Sequence, residues 1–145
     1  MPGKPAPAAD PSLHSLADFR YLLRKFLHFS EEAAAHAGLA PQQHQLMLQI
    51  AGAPAGVATS IGYLAERLFL RHHSVVELSA RCEALGLIAR GHSPADRRVV
   101  MLRLTAAGNR LLRALSQAHA RELNELAPQL IRSLKALSSP SGKRN

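Results

Sequence analysis

The chain has 145 residues, about one domain's worth, and a single cysteine, Cys82, which excludes an intrachain disulfide and a cysteine-based zinc site. Hydrophobic residues make up 47%, charged residues 19% and aromatics 4%, with a net charge of +8; this favours helices and suits a polyanionic partner, plain solubility being the competing explanation. No apolar run nears the ~20 residues needed to cross a bilayer and no signal-peptide core follows the N-terminus, so no membrane partner and a cytoplasmic location are expected.

Residues 1–11 hold four of the nine prolines without apolar periodicity and read as a disordered tail. Ser12 is placed to cap a first helix, because Leu13, Leu16, Phe19, Leu23, Phe26 and Leu27 recur at helical spacing up to a stop at Gly38. Leu22 and Phe29 widen its apolar stripe beyond what one neighbour covers, which points to a second chain. Pro41 opens a second helix that buries Leu46, Met47 and Ile50 and ends about Gly52. A linker of small residues follows, with a short strand expected at Gly56-Val57-Ala58.

Ser60 caps a third helix whose Ile61, Leu64 and Leu68 face inward. Phe69-Leu70-Arg71 form a turn, and the fourth helix, His72 to Leu85, carries Val75, Leu78 and Cys82 on one stripe. Ser74 and Glu77 have capping-box spacing, which would move the helix start to Ser74. Strands at about Leu87–Gly91 and Val99–Leu104 flank a turn at His92-Ser93-Pro94, with Val100, Leu102 and Leu104 alternating onto one face. Thr105 caps a fifth helix carried by Leu111, Leu112, Leu115, His119 and Leu123. Pro128 should interrupt it and begin a short last helix, Leu130–Leu137, and 139–145 read as a second disordered tail. Helix, tight turn, helix and basic hairpin together make the layout of a winged helix-turn-helix, which lays one helix in the DNA major groove.

Several local signatures carry a resemblance. Asp96-Arg97-Arg98 stands in the wing, Leu104-Thr105-Ala106-Ala107-Gly108 at its exit and Gly86-Leu87-Ile88 at its entry. Gly38-Leu39-Ala40-Pro41-Gln42-Gln43 precedes the second helix. In this order and separation they resemble the MarR family of bacterial transcription regulators over about residues 13–138. The resemblance implies a mainly α fold: one domain over 12–138, with dimerisation helices at about 12–38 and 106–138 around a winged helix-turn-helix at 41–104. It also implies a homodimer on a pseudo-palindromic operator of double-stranded DNA, repressing transcription in the cytoplasm at the nucleoid, and frequent release by a small ligand. A nonspecific or architectural DNA binder and a helical protein-interaction adaptor are the alternatives.

The physical reading names the residues. The start of a recognition helix presents small and polar side chains to base edges, as His72, His73 and Ser74 do, with Val75, Glu77 and Arg81 further along and Ser60 and Arg71 beside them. In the wing, Arg90, His92, Arg97 and Arg98 make a basic tip suited to the minor groove. The resemblance implies that Asp96 pairs with Arg98 and steadies it. Glu77 is unusual: a carboxylate repels phosphate, though it accepts from a cytosine amino group, and the capping box is its other explanation. Cys82 stands where the family has Leu, and Ala40 where it has a capping Thr or Ser, a loss of about 1 kcal/mol.

No nucleophile elbow, P-loop, zincin or dinucleotide-binding pattern occurs, so no enzyme and no cofactor are expected. Eight histidines invite a metal, yet no His-x-x-x-His pair lies on any helix. A pocket for a small aromatic or anionic effector is expected from Phe19, Phe26, His36, His44, Met47 and Tyr63, with simple packing the competing explanation for all six.

Overall fold

The computed structural model describes residues 10–139. Their order is α1 (Pro11–His36), α2 (Pro41–Ala51), α3 (Ile61–Leu68), α4 (His72–Ala84), β1 (Ile88–His92), β2 (Val100–Leu104) and α5 (Ala106–Ser138). Most of the two expected tails, 1–9 and 140–145, lies outside the described residues, whereas Asp10 and Pro11 open α1. The start of α1 corrects the expected cap. Asp10, not Ser12, takes that role: its Oδ1 accepts from the Ser12 N–H at 2.9 Å, and its carbonyl accepts from the His14 N–H at 3.0 Å. Pro11 then occupies the first helical position, where a missing N–H costs nothing.

The described residues fall into two units, 10–29 with 119–139, and 30–118. In the first, Leu22 and Leu126 are buried, and the rings of Phe26 and Phe29 meet His119 edge-on at 6.0 and 5.8 Å. The expected break at Pro128 does not occur, because α5 runs through it to Ser138. A proline inside a helix costs about 3 kcal/mol. The buried Leu126 and Ser133 on either side hold both flanks in place, so packing overrides the local penalty.

The second unit contains the main core, in which Leu46, Met47, Leu64, Val75, Leu78, Cys82, Ile88 and Leu102 are almost wholly buried. The strands pair antiparallel, Ile88 opposite Leu104 and His92 opposite Val100. A third rung comes from Thr59 and Ser60 rather than from Gly56-Val57-Ala58. The Thr59 carbonyl accepts from the Leu102 N–H at 3.0 Å, and Ser60 bridges Met101. The Val57 N–H is turned instead to the Pro54 carbonyl at 3.1 Å, which bends 54–57 into a turn.

Ala40 lacks a capping side chain, but Gln43 returns its Oε1 to the Ala40 N–H at 2.8 Å, leaving half a capping box. At the far end of the unit, Gly86 (φ +71°) lets α4 end with the Leu87 N–H on the Cys82 carbonyl at 3.1 Å. Thr105 locks this junction to α5: its N–H donates to the Leu87 carbonyl at 3.0 Å and its Oγ1 to the Gly86 carbonyl at 2.6 Å. The same Oγ1 accepts from the Gly108 N–H at 3.1 Å, capping α5. Gly108 is required by space alone, since a Cβ there would overlap the Leu87 carbonyl oxygen.

Candidate nucleic-acid interface

Three short-range devices set the helix-turn-helix. Ser60 Oγ accepts from the Tyr63 N–H at 3.2 Å and caps α3. Phe69 ends α3 in the left-handed region at φ 53°, with its side chain in solvent, and the Leu70 N–H returns to the Ala65 carbonyl at 3.0 Å. Arg71 then occupies the N-cap position of α4, its carbonyl accepting from the Val75 N–H at 3.2 Å. The turn thus starts α4 at His72, and the Ser74–Glu77 capping box expected from spacing does not form. Both residues are already inside the helix. Glu77 is exposed, four residues from the exposed His73 and therefore on the same face.

Burial sorts the recognition residues. Val75, Leu78, Ser79 and Cys82 form the buried stripe of α4, while Arg71, His72, His73, Glu77 and Arg81 are exposed and Ser74 is half-buried. Val75 is 0% exposed and is therefore a core residue, not a base contact.

The expected Asp96–Arg98 pairing is present as a closed clamp. Arg98 donates its backbone N–H to Asp96 Oδ1 at 3.0 Å, its Nε–H to the same oxygen at 3.1 Å and an Nη2–H to Oδ2 at 3.2 Å. These bonds, the side-chain ones first, hold the Asp96 carboxyl below its ordinary pKa. The loop is closed by the Val99 N–H on the Asp96 carbonyl and the Ser93 N–H on the Val99 carbonyl, both at 3.0 Å. Arg98 keeps 90% of its side chain in solvent, and Arg97 and His92 beside it are exposed. Arg90 differs from them. It does not join the wing tip but folds back to α4, where Nη2 donates to Ser79 Oγ at 3.3 Å and Nε lies 3.5 Å from Glu83 Oε2. Ser60, His72, Arg90 and Arg98 line one groove of about 340 Å³.

Sequence reasoning missed Ser79 and Glu83 as partners of the wing. Their one-turn separation on α4 was the available signal, but it does not say what faces them. The effector candidates are dispersed in role. Phe19 and Phe26 are half-buried on α1 in the helical unit. In the winged unit Met47 is core, His44 is buried, Tyr63 packs against the core and His36 is exposed. Among the described residues no group of three or more His, Cys, Asp or Glu side chains is placed to hold a metal ion. Cys82 is buried, and burial pushes its thiol up to about 11, so it stays protonated at neutral pH. Among the described residues no helix is long and apolar enough to cross a membrane.

Comparison with known proteins agrees with this geometry. Residues 37–99 match the model of the MarR family. AbsC of Streptomyces coelicolor, a MarR family transcriptional regulator, superposes with a TM-score of 0.70 at 20% identity, over 90% of this chain and 91% of that one. CouR of Rhodococcus jostii RHA1, bound to p-coumaroyl-CoA, superposes with a TM-score of 0.63 at 19% identity, over 86% and 92%. The transcriptional repressor CouR on a 23-mer DNA duplex does so with a TM-score of 0.63 at 24% identity, over 80% of each chain. A search of curated protein sequences finds no match. Residues 37–99, which hold α2, the helix-turn-helix and the first strand of the wing, thus match the MarR family, a family of transcription regulators and not of enzymes.

Proposed function

We propose that this protein is a sequence-specific DNA-binding transcription regulator, acting as a repressor, that binds a pseudo-palindromic operator as a homodimer. The observation that carries the reading is the Asp96–Arg98 clamp. It holds an exposed guanidinium on the wing, beside a helix whose exposed start offers His72 and His73. Charge-assisted donors in that arrangement suit a minor-groove contact flanking a major-groove helix. The CouR repressor on a DNA duplex shares the fold, which supports the same placement here.

The test is selection from a randomised duplex pool, followed by titration of the enriched duplex. Arg98→Ala should weaken binding by ~1–3 kcal/mol while leaving the assembly state unchanged. Unchanged affinity in that variant removes the wing from the mechanism. The net charge of +8 also favours a second reading, a nonspecific architectural binder, and a pool that enriches no sequence selects it. A monomer that binds no DNA at low salt would instead be a helical adaptor.

Homodimerisation is supported by the helical unit, where Leu13, Leu16, Tyr21, Leu23, Leu27, Leu123, Ile131 and Leu134 are exposed, an apolar surface of the kind a partner chain covers. Release by a small aromatic or anionic effector is the natural extension, since CouR is seen with p-coumaroyl-CoA. Phenolic acids titrated against the protein–duplex complex test it, and no shift in affinity with any of them rejects it. In this reading the protein works on cytoplasmic, nucleoid DNA.

A further inference from the structure

Arg90 stands on β1 at the register position opposite Leu102, yet its side chain runs back to α4. It meets two residues one helical turn apart, Ser79 and Glu83, which therefore share a face of the helix. Ser79 is fully buried, and its Oγ–H is already donated to the Val76 carbonyl at 2.8 Å. The guanidinium therefore meets a fixed lone pair rather than a free rotor. Glu83 receives the Nε side of the same planar group.

The side chains of Arg90 and Glu83 are 39% and 44% exposed, so their ion pair is a weak stabiliser. What the group supplies is direction. A planar fork with one branch on Ser79 and another edge on Glu83 admits few orientations, and an ammonium in its place would fix neither. The strand that carries Arg90 leads into the Asp96–Arg98 loop, and the helix that carries Ser79 and Glu83 begins at His72. A small rotation of one against the other moves wing tip and helix start out of register with adjacent grooves.

We propose that Arg90 is a positioning residue for DNA reading: held by Glu83 and Ser79, it sets the wing against the recognition helix, and it does not itself bind a phosphate. This rests on the reading of α4 and the wing as the DNA-binding surface. A phosphate-binding Arg90 makes opposite predictions. Glu83→Gln would release it and tighten binding, Arg90→Lys would keep most of the affinity, and Arg90→Ala would lower the slope of log affinity against log salt by about one.

The experiment uses the full chain, the duplex enriched by selection, and the variants Glu83→Gln, Arg90→Lys, Arg90→Ala and the double variant Glu83→Gln/Arg90→Lys. The first readout, taken without DNA, is amide hydrogen exchange at residues 88–92. It should quicken about threefold or more in each single variant, and no further in the double. The second is affinity against salt. Glu83→Gln should weaken binding about threefold or more, although it removes a negative charge, and the salt slope should stay that of the unaltered protein in every variant. Tighter binding by Glu83→Gln, a slope lowered in Arg90→Ala, or unchanged exchange at 88–92 overturns the proposal. If the unaltered protein binds no DNA even at low salt, the DNA reading fails and this role falls with it, whereas the exchange readout still reports separately whether strand and helix are tied.

Discussion

Arg90 and Arg98 are the same residue type, on the same hairpin, with different partners. Arg98 is clamped by a carboxylate two residues away, a contact that local turn geometry can close by itself. Arg90 is held from α4, by Ser79 eleven residues back in the chain and by Glu83 one helical turn after it. Cys82 gives a second contrast at this scale. Burial lifts its thiol from an ordinary 9.0 to about 11, so the folded chain keeps the proton that the unfolded chain gives up between those values. That contribution to stability is whole below about pH 9 and is lost as pH rises towards 11. Urea midpoints should therefore fall across that window in the unaltered protein, and this part of the fall should be missing in Cys82→Ala. Native-state alkylation at neutral pH should likewise be slow, with a rate that rises in urea.

At the scale of elements, two junctions decide the architecture. Where α4, β1 and α5 meet, Thr105 and Gly108 let the start of α5 sit against the Leu87 carbonyl. Gly108→Ala gains up to about 1 kcal/mol of helix propensity, but its methyl has nowhere to go, and overpacking against backbone wins. The expected net loss is ~1–3 kcal/mol by denaturant unfolding, with faster exchange in the hairpin. The second junction is the apparent one at Pro128, where α5 does not break. Residue 128 is exposed, so Pro128→Ala restores a helical hydrogen bond without touching the core. The gain, about 3 kcal/mol of propensity less about 1 for the freer unfolded chain, should leave ~1–2 kcal/mol of added stability in the same measurement.

For the whole molecule, the balance lies between a closed core in the winged unit and an open apolar surface in the helical one. Every large side chain of the main core belongs to residues 30–118. The other unit buries Leu22 and Leu126 but leaves Ile131 and Leu134 about half in solvent. If a second copy covers that surface, Ile131→Glu should shift sedimentation from dimer to monomer. The same variant should lose affinity for the enriched duplex without losing the unfolding transition of the winged unit. A dimer unaffected by this change would mean that the interface lies elsewhere.

The chain alone determined the order of elements from α1 to β2, the core stripe of α4 and the cap at Ser60, and the family resemblance carried the Asp96–Arg98 clamp. The stripe and the cap follow from interactions between residues three or four apart, which spacing reveals, and the clamp closes over just two. The tertiary structure decided what depends on partners distant in sequence. It carried α5 through Pro128, placed Thr59 rather than Val57 on the sheet and gave Gly108 its close neighbour. It also started α4 at His72, because the preceding turn was already closed, and thereby left Glu77 exposed inside the helix rather than in a capping box. Arg90 belongs with these, since only the packing of β1 against α4 brings Ser79 and Glu83 within its reach.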